Sequence, residues 1–546
     1  SFDWSVWMYE PLLTAIGKEL SVRSDRAAKT GEGVLDESTF NTIEVDRLFD
    51  AVNCAGTIVG QATLYRSLAH PLDSVEAITA KQEALKELDS KADLRARIEE
   101  LVLHAAKYEE EFYRLLFGTF VGTFGNPLGR METGSFGHAT YRQGTKLMLD
   151  LVKGAQGLPT PESPYLRARL DDLKAFGSTR SHALMEGPAY LTERAIRTKT
   201  EKWLLAPAIK FRPTLFKPRL IITLLIAMGL LLHYAPALGV SRHAIPILMV
   251  VLLPSFLLYG PVIGGFDRDS IIYPLRDGYR DSHDVQRALE ALGQIDELLS
   301  FHRYAKSFGS STVLPTLIES DQHAMVLKTV RNPILGKENA DYVPNDINLN
   351  GARLTFITGP NGGGKTACCK TIAQVQLLAQ IGCYVPAEQA QVSVADRIFY
   401  QVPEGNSLAD REGRFGTELQ RTKAIFFASS PKSLVILDEL AEGTTYQEKL
   451  EISRTILGGF YQVGNNTILV THNHELAEQF QQRDVGVYRQ AEFIHGSPTH
   501  RLIEGISRVS HADKVARRIG FAKEDIERHL AERGYGGGGE TSPEGK

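Results

Sequence analysis

The run TGPNGGGKT at 358–366 holds the densest cluster of chemistry in the chain. Gly359, Pro360, Asn361, Gly362, Gly363, Gly364, Lys365 and Thr366 fit the phosphate-loop pattern G-x-x-x-x-G-K-[ST]. Glycines there let backbone N–H groups turn inward onto phosphate oxygens, and the helix that follows points its positive end at them. Lys365 is expected to reach the β- and γ-phosphates of ATP, and the Thr366 hydroxyl to take a Mg²⁺ site. Asp438 and Glu439 follow the apolar run LVIL at 434–437. An aspartate at the end of such a strand can hold Mg²⁺, usually through water, and the next glutamate can orient or deprotonate the attacking water. His472 closes NTILVTH (466–472), where a γ-phosphate sensor would stand.

These side chains need particular elements beneath them. RLTFIT (353–358) alternates and is rich in β-formers, which predicts a strand leading into the loop. KTACCKTIAQVQLLAQIG (365–382) predicts the helix that the loop opens. LVIL is an apolar run of buried parallel-strand type, and NTILV predicts a third strand.

The segments between and around these motifs resemble the MutS family of DNA mismatch-repair ATPases. IGCYVPAEQAQVSVADRIF (381–399), RNPIL (331–335), YVPNDINL (342–349) and THRLIEGISRVSHADKVARRIGFAKEDIERH (499–529) carry the resemblance around the ATPase region. LFDAVNCAGTIVGQATLYRSLAHPLDSVEAITAKQEALKEL (48–88) is similar to the family's helical core. The resemblance implies an α/β P-loop ATPase domain of ABC type, a mixed sheet flanked by helices, joined to an all-α core and lever domain. It implies that Tyr342 stacks on adenine and that Asn361 helps place the hydrolytic water. It implies Lys365 and Thr366 on phosphates and Mg²⁺, Asp438 and Glu439 as metal-binding and catalytic acids, and His472 as a switch histidine. It also implies a homodimer, because each ATP is completed in trans by a signature segment. That signature reads roughly S-T-F-x-x-E in the family, whereas this chain has Gly413, Arg414, Phe415, Gly416, Thr417 and Glu418. The serine and threonine are replaced, so Arg414 would have to supply charge across the dimer, in the manner of an arginine finger. The loop after Glu439 is one residue shorter than the family's.

The chain has 546 residues, 61 Lys and Arg, 65 Asp and Glu, and a net charge of −4. That balance excludes a strongly basic nucleic-acid binder but leaves room for local basic patches. Cys54, Cys368, Cys369 and Cys383 show no metal-ligand spacing.

Two apolar segments stand apart from this pattern. Residues 220–239 carry His233 as their one group titrating near neutral pH, and 244–266 carry no charge until the segment ends. Each is long enough to cross a hydrocarbon layer of about 30 Å. Lys210, Arg212, Lys217 and Arg219 precede the first, and only Arg242 marks the link between them. The positive-inside bias then predicts a hairpin in the cytoplasmic membrane, with the N-terminal and ATPase domains in the cytoplasm.

The expected organisation is an aromatic and helical segment (1–35), a helical core with an outgoing lever (36–118), an irregular or helical insertion (119–208), the hydrophobic helical hairpin (209–268), a returning lever (269–320), the ATPase domain (321–520), and a C-terminal helix and disordered tail (521–546). In the family a DNA-gripping clamp lies between the levers, where this chain has the hairpin, and no F-x-E wedge motif precedes the core. The expectation is a dimeric, membrane-anchored, ATP-hydrolysing clamp or switch, with at most weak DNA binding and an unnamed protein partner. Two other readings stay open. One is a soluble repair ATPase that binds DNA mismatches or structures, its hairpin buried. The other is a nucleotide-binding scaffold with little hydrolysis.

Overall fold

The computed structural model describes residues 33–120, 135–192, 195–201, 208–209, 267–403, 413–441, 444–495, 497–508 and 519–533. The chain divides into two units. One comprises Ser1–Ala27, Val45–Gly309 and Leu377–Tyr384, and the other Ala28–Glu44, Ser310–Gln376 and Val385–Lys546.

Helix α1 (Glu37–Thr42) falls in the second unit, and the first is helical. Its helices are α2 (Val45–Val52), α3 (Ile58–Ala69), α4 (Val75–Ser90), α5 (Ala92–Phe117), α6 (His138–Gln156), α7 (Pro164–Phe176), α8 (Arg180–Glu186), α9 (Tyr273–Arg280) and α10 (His283–Ser307). Two ribbons of two-residue strands, β1 (Thr119–Phe120) with β2 (Ser135–Phe136) and β3 (Tyr190–Leu191) with β4 (Ile196–Arg197), accompany them. Side-chain oxygens start the helices: Thr57 accepts from the Gly60 N–H at 2.9 Å and Ser74 from the Ala77 N–H at 3.3 Å.

Helices α3 and α10 meet through glycines. A Cβ on Gly293 would lie 2.2 Å from Thr63 Oγ1 and 3.0 Å from the Val59 carbonyl, and one on Gly60 would lie 2.2 Å from Asp296 Oδ2. Two buried carboxylates hold the start of α3. Asp296 accepts from the N–H groups of Gly56 (3.1 Å) and Thr57 (2.7 Å), and Glu109 from those of Ile58 and Val59 (2.7 Å each). Helix N-termini favour such anions. Burial works against the charge and pushes Glu109 up to about 7, although the Val59, Tyr113 and Ile58 donors pull it down.

The expected location in the cytoplasmic membrane is overturned. Among the described residues no helix is long and apolar enough to cross a membrane. The two longest, α5 with 26 residues and α10 with 25, have the length. Their sequences carry Asp, Glu, Lys and Arg along their whole extent, and such groups are expensive in hydrocarbon. The segments 220–239 and 244–266, on which the hairpin expectation was built, lie outside the described residues.

The second unit carries two sheets. The larger has the order β10 (Ile398–Gln401), β11 (Leu434–Asp438), β12 (Asn466–Thr471), β8 (Leu354–Thr358), β13 (Val487–Ile494), β14 (Ser497–Glu504). Neighbours are parallel up to β13, and β14 returns antiparallel to it. The smaller has the order β5 (Thr316–Ile318), β9 (Gln389–Ser393), β6 (Met325–Val330), β7 (Asn345–Asn348). The helices of this unit after α1 are α11 (Leu335–Glu338), α12 (Lys365–Gln380), α13 (Gly413–Ala428), α14 (Tyr446–Val463), α15 (His474–Gln481) and α16 (Lys523–Glu532). Helix α12 continues past Gln376 into the residues grouped with the first unit.

The central strands are buried up to the half-buried Asp438 that ends β11, as their apolar runs predict. Phe356, Leu437, Leu457, Phe460, Leu469 and Phe480 form the core beneath the strand ends. This mixed α/β arrangement is that of an ATPase domain, with strands and helix where the sequence predicts them: RLTFIT gives β8, LVIL gives β11, NTILVT gives β12, and 365–382 gives α12 with its end at Gln380.

Candidate nucleotide site

The strand register brings the sequence motifs together. Thr358 pairs with Thr471, and Asp438 with Val470. The phosphate loop, His472 and the acidic pair therefore leave the carboxyl ends of three adjacent strands, where open α/β sheets place their ligands.

The loop between β8 and α12 turns through glycines. Gly364 has φ +85°, which an L side chain rarely adopts. A Cβ on Gly363 would stand 2.5 Å from the Cβ of Ala491. Asn361 is exposed at the loop's tip. Lys365 is buried, and its ammonium donates to the carbonyls of Gly359 (2.8 Å) and Pro360 (2.9 Å). Burial lowers its pKa, while Glu439 and Asp438 pull the other way.

The Thr366 hydroxyl donates to Asp438 Oδ2 at 3.1 Å. A hydroxyl and a carboxylate in contact are the hard-oxygen pair that suits Mg²⁺, so these two residues fit the ion. Burial raises the Asp438 pKa, against the pull of Thr366 and Lys365.

Glu439 occupies a left-handed backbone conformation (φ +64°), as does Ala441 (φ +58°). Non-glycine residues in that region are uncommon and concentrate at functional sites. The Glu439 N–H still donates to the Val470 carbonyl at 2.9 Å, which ties the turn to β12. Its carboxylate accepts from the Thr471 hydroxyl (3.1 Å) and the His472 N–H (2.9 Å). The His472 ring is about half exposed, its Nε2 3.8 Å from Glu439 Oε1.

Tyr342 is half-buried, and its carbonyl accepts from Arg331 at 2.9 Å. Burial raises the phenol's pKa, and the Thr371 hydroxyl of α12 and the Asn332 backbone oppose that rise. The ring is thus tethered alongside α12 rather than in the loop itself.

The residues of the expected in-trans segment start α13. Gly413 and Arg414 are its first two residues, and their side chains lie outside the described set. Phe415 packs on the sheet's core. Glu418 is buried, and its Oε1 accepts from the Ala441 N–H of the same chain.

Beyond the motif residues, Lys449 and His500 stand at the site, and Glu418 of the expected signature reaches it within its own chain. Lys449 of α14 stands 3.5 Å from Glu439 Oε2. Glu418 reaches the acidic turn as described. His500 stands beside Gly364, whose Cβ would lie 3.5 Å from His500 Nδ1. Asn345 of β7 fixes that stretch by donating to the His500 carbonyl (3.0 Å) and accepting from the Leu502 N–H (2.8 Å). Folding alone brings Lys449 and His500 to the site, and no spacing in the chain announces them.

Comparison with known proteins agrees with this geometry. Residues 355–531 match the model of MutS domain V. The chain is 36% identical over 201 residues to the DNA mismatch repair protein MutS of Desulforamulus reducens, covering 36% of this chain and 22% of that protein. It is 30% identical over 259 residues to the DNA mismatch repair protein MSH3 of Kluyveromyces lactis, covering 45% and 25%. It is 30% identical over 256 residues to the MutS of Caldicellulosiruptor bescii, covering 45% and 29%. The matched stretch is thus under a third of each relative's length. Residues 355–531 are thus a domain of the MutS family.

Proposed function

We propose that the protein is a dimeric ATPase of the DNA mismatch-repair type, which binds and hydrolyses ATP and couples this to DNA. The observation that carries the reading is the convergence of Lys365, Thr366, Asp438 and Glu439 at the ends of adjacent parallel strands. The names of the curated relatives supply the DNA part.

The loop N–H groups would cradle the phosphates, and Lys365 would exchange the Gly359 and Pro360 carbonyls for the β- and γ-phosphate oxygens. Thr366 and Asp438 would hold Mg²⁺, which neutralises charge on the transferring phosphoryl group. Glu439 would orient the attacking water and take its proton, with Asn361 beside it and His472 sensing the γ-phosphate. Tyr342 would stack on adenine, and His500 adds a ring at the rim of the loop. Gly413, Arg414, Phe415 and Glu418 would present the signature to a second copy, making the dimer. Residues 36–118 and 269–320 would serve as core and levers, and 321–520 as the motor.

Turnover, nucleotide affinity and DNA affinity test this. Lys365→Ala should abolish tight ATP binding. Glu439→Gln should retain binding and lose turnover. ATP should change affinity for mismatched or structured DNA in the unsubstituted protein. A protein that binds ATP without hydrolysing it would favour the scaffold reading, which the missing serine hydroxyl at Gly413 supports. Turnover retained in Glu439→Gln would remove that residue from its role.

A further inference from the structure

Glu439 is held from more than one side. The Thr471 hydroxyl and the His472 N–H reach it from the end of β12, and Lys449 reaches it from α14. The lysine is well anchored. Helix α14 begins with the Glu448 carboxylate accepting from the Thr445 hydroxyl at 2.8 Å and the Thr445 N–H at 3.4 Å. The Lys449 N–H donates to the Thr445 carbonyl at 2.8 Å, which closes the first turn. The side chains of Lys449 and Glu439 are only 17% and 13% exposed, so solvent screens the pair weakly.

We propose that Lys449 is a positioning residue for hydrolysis, which holds the Glu439 carboxylate at the end of β12 and away from the phosphate-loop lysine. The proposal rests on the reading of Glu439 as the group that orients water. The charges facing Glu439 make the need plain. Lys365 is near enough for the two to influence each other, and Asp438 is adjacent in the chain. His472 offers an imidazole at 3.8 Å. A carboxylate beside the phosphate-loop lysine has a strong competing partner, and a pair with Lys365 would occupy the ammonium that ATP needs. Lys449 offers the carboxylate a cationic partner outside the phosphate loop, 3.5 Å from Oε2. With the hydroxyl and the N–H it fixes both carboxylate oxygens, leaving lone pairs for one water. Preorganisation of this kind acts on the chemical step more than on ground-state binding. The left-handed backbone at Glu439 adds to the need, because a strained turn has relaxed alternatives that a third anchor excludes.

The test measures ATP turnover and ATP affinity for Lys449→Met, Lys449→Arg, Glu439→Gln and the double variant Glu439→Gln/Lys449→Met, all in the full chain. Lys449→Met should lower kcat about tenfold, with ATP affinity changed less than about threefold. Lys449→Arg should recover most of the loss, since a guanidinium also pairs with carboxylate. The double variant should turn over no more slowly than Glu439→Gln, because Lys449 acts only through that carboxylate. Wild-type turnover in Lys449→Met would overturn the proposal. So would an Arg variant as slow as the Met variant, or ATP affinity falling in step with kcat, which marks a structural role. Additive losses in the double variant would show that Lys449 acts on something other than Glu439. Undiminished turnover in Glu439→Gln alone would overturn the reading of Glu439, a separate failure.

Discussion

Glu418 Oε1 accepts the backbone N–H of Ala441, joining helix α13 to the turn that presents Glu439. Glu418 is itself buried, and the Thr422 hydroxyl donates to its carbonyl at 2.9 Å. The turn it holds contains two non-glycine residues at positive φ. Strained conformations of this kind cost about 1–3 kcal/mol each and persist only where their surroundings enforce them. The carboxylate of Glu418 is one such enforcement. It also makes α13, which begins with the residues expected to act in trans, mechanically continuous with the same chain's acidic pair.

Glu418→Ala should therefore slow hydrolysis without emptying the nucleotide site. The Ala441 N–H would lose its acceptor, which costs roughly 1–3 kcal/mol at a buried position. Turnover is expected to fall about tenfold or more, corresponding to about 1.4 kcal/mol in the barrier. Glu418→Gln keeps an oxygen for the N–H and should lose much less. Equal losses in Ala and Gln would mean that charge, rather than the hydrogen bond, is what the position supplies.

Two adjacent glycines of α14 should respond oppositely to alanine. A Cβ on Gly458 meets nothing within 4 Å, whereas one on Gly459 would stand 2.9 Å from the ring of Phe426. Phe426 packs edge-to-face on Phe460, with centroids 5.1 Å apart, so the ring has little room to yield. Gly458→Ala is expected to stabilise by up to about 1 kcal/mol through helix propensity alone. Gly459→Ala is expected to destabilise by about 1–3 kcal/mol through overpacking. Urea unfolding of both variants measures the difference. Stabilisation in both would show that helix propensity, not the Phe426 contact, decides at these positions.

Legibility of the site in the sequence followed how local each requirement is. Gly359 to Thr366 were legible because a phosphate cradle demands glycines and a lysine at fixed spacing within one turn of chain. Asp438 and Glu439 were legible because an apolar strand must precede them. Lys449 and His500 were not, since each reaches the site only after α14 or β14 has packed, and neither charge nor period marks such an approach; Glu418 was marked by the signature pattern, but its bond to the Ala441 N–H of the same chain was not. The apolar runs 220–239 and 244–266 led to an overturned location for a related reason. Hydropathy reports the transfer preference of a segment and says nothing of what covers it. The α3–α10 crossing was equally hidden: Gly60 and Gly293 are unremarkable as letters and become necessary only where Asp296 and Thr63 approach.

The carboxyl groups of that helical unit give its stability a definite pH dependence. Glu109 is raised to about 7 in the fold from an ordinary 4.5. Between those values the folded chain holds a proton that the unfolded chain has released, so stability falls as pH rises through that window. Its contribution is fully favourable below about 4.5 and lost by about 7, a change of roughly 3 kcal/mol at most. Asp296, also raised by burial, acts in the same direction. Glu87, held down to about 2 with the Glu162 and Ser163 N–H groups as its donors, acts in the opposite direction, and only below 4.5. Thermal unfolding of Glu109→Gln should show a flatter dependence between pH 4.5 and 7 than the unsubstituted chain. An unchanged slope would assign that dependence to other groups.

The composite nature of the site can be tested by mixing subunits. Gly413 and Arg414 open α13 in place of the family's serine and threonine, so a donor to a partner's γ-phosphate would have to come from Arg414. Arg414→Ala leaves a subunit's own phosphate loop intact, and Lys365→Ala leaves its signature intact. Neither homodimer should hydrolyse ATP efficiently. In a heterodimer one composite site carries both defects and the other carries neither. Random pairing should then restore roughly a quarter of the wild-type rate, since half the dimers are mixed and each has one working site. An arginine acting within its own subunit gives a different result, because every site in the mixture then keeps a defect and activity stays at the homodimer level. Mixed dimers that form, as shown by co-purification of differently tagged subunits, and that hydrolyse nothing would place Arg414 in cis.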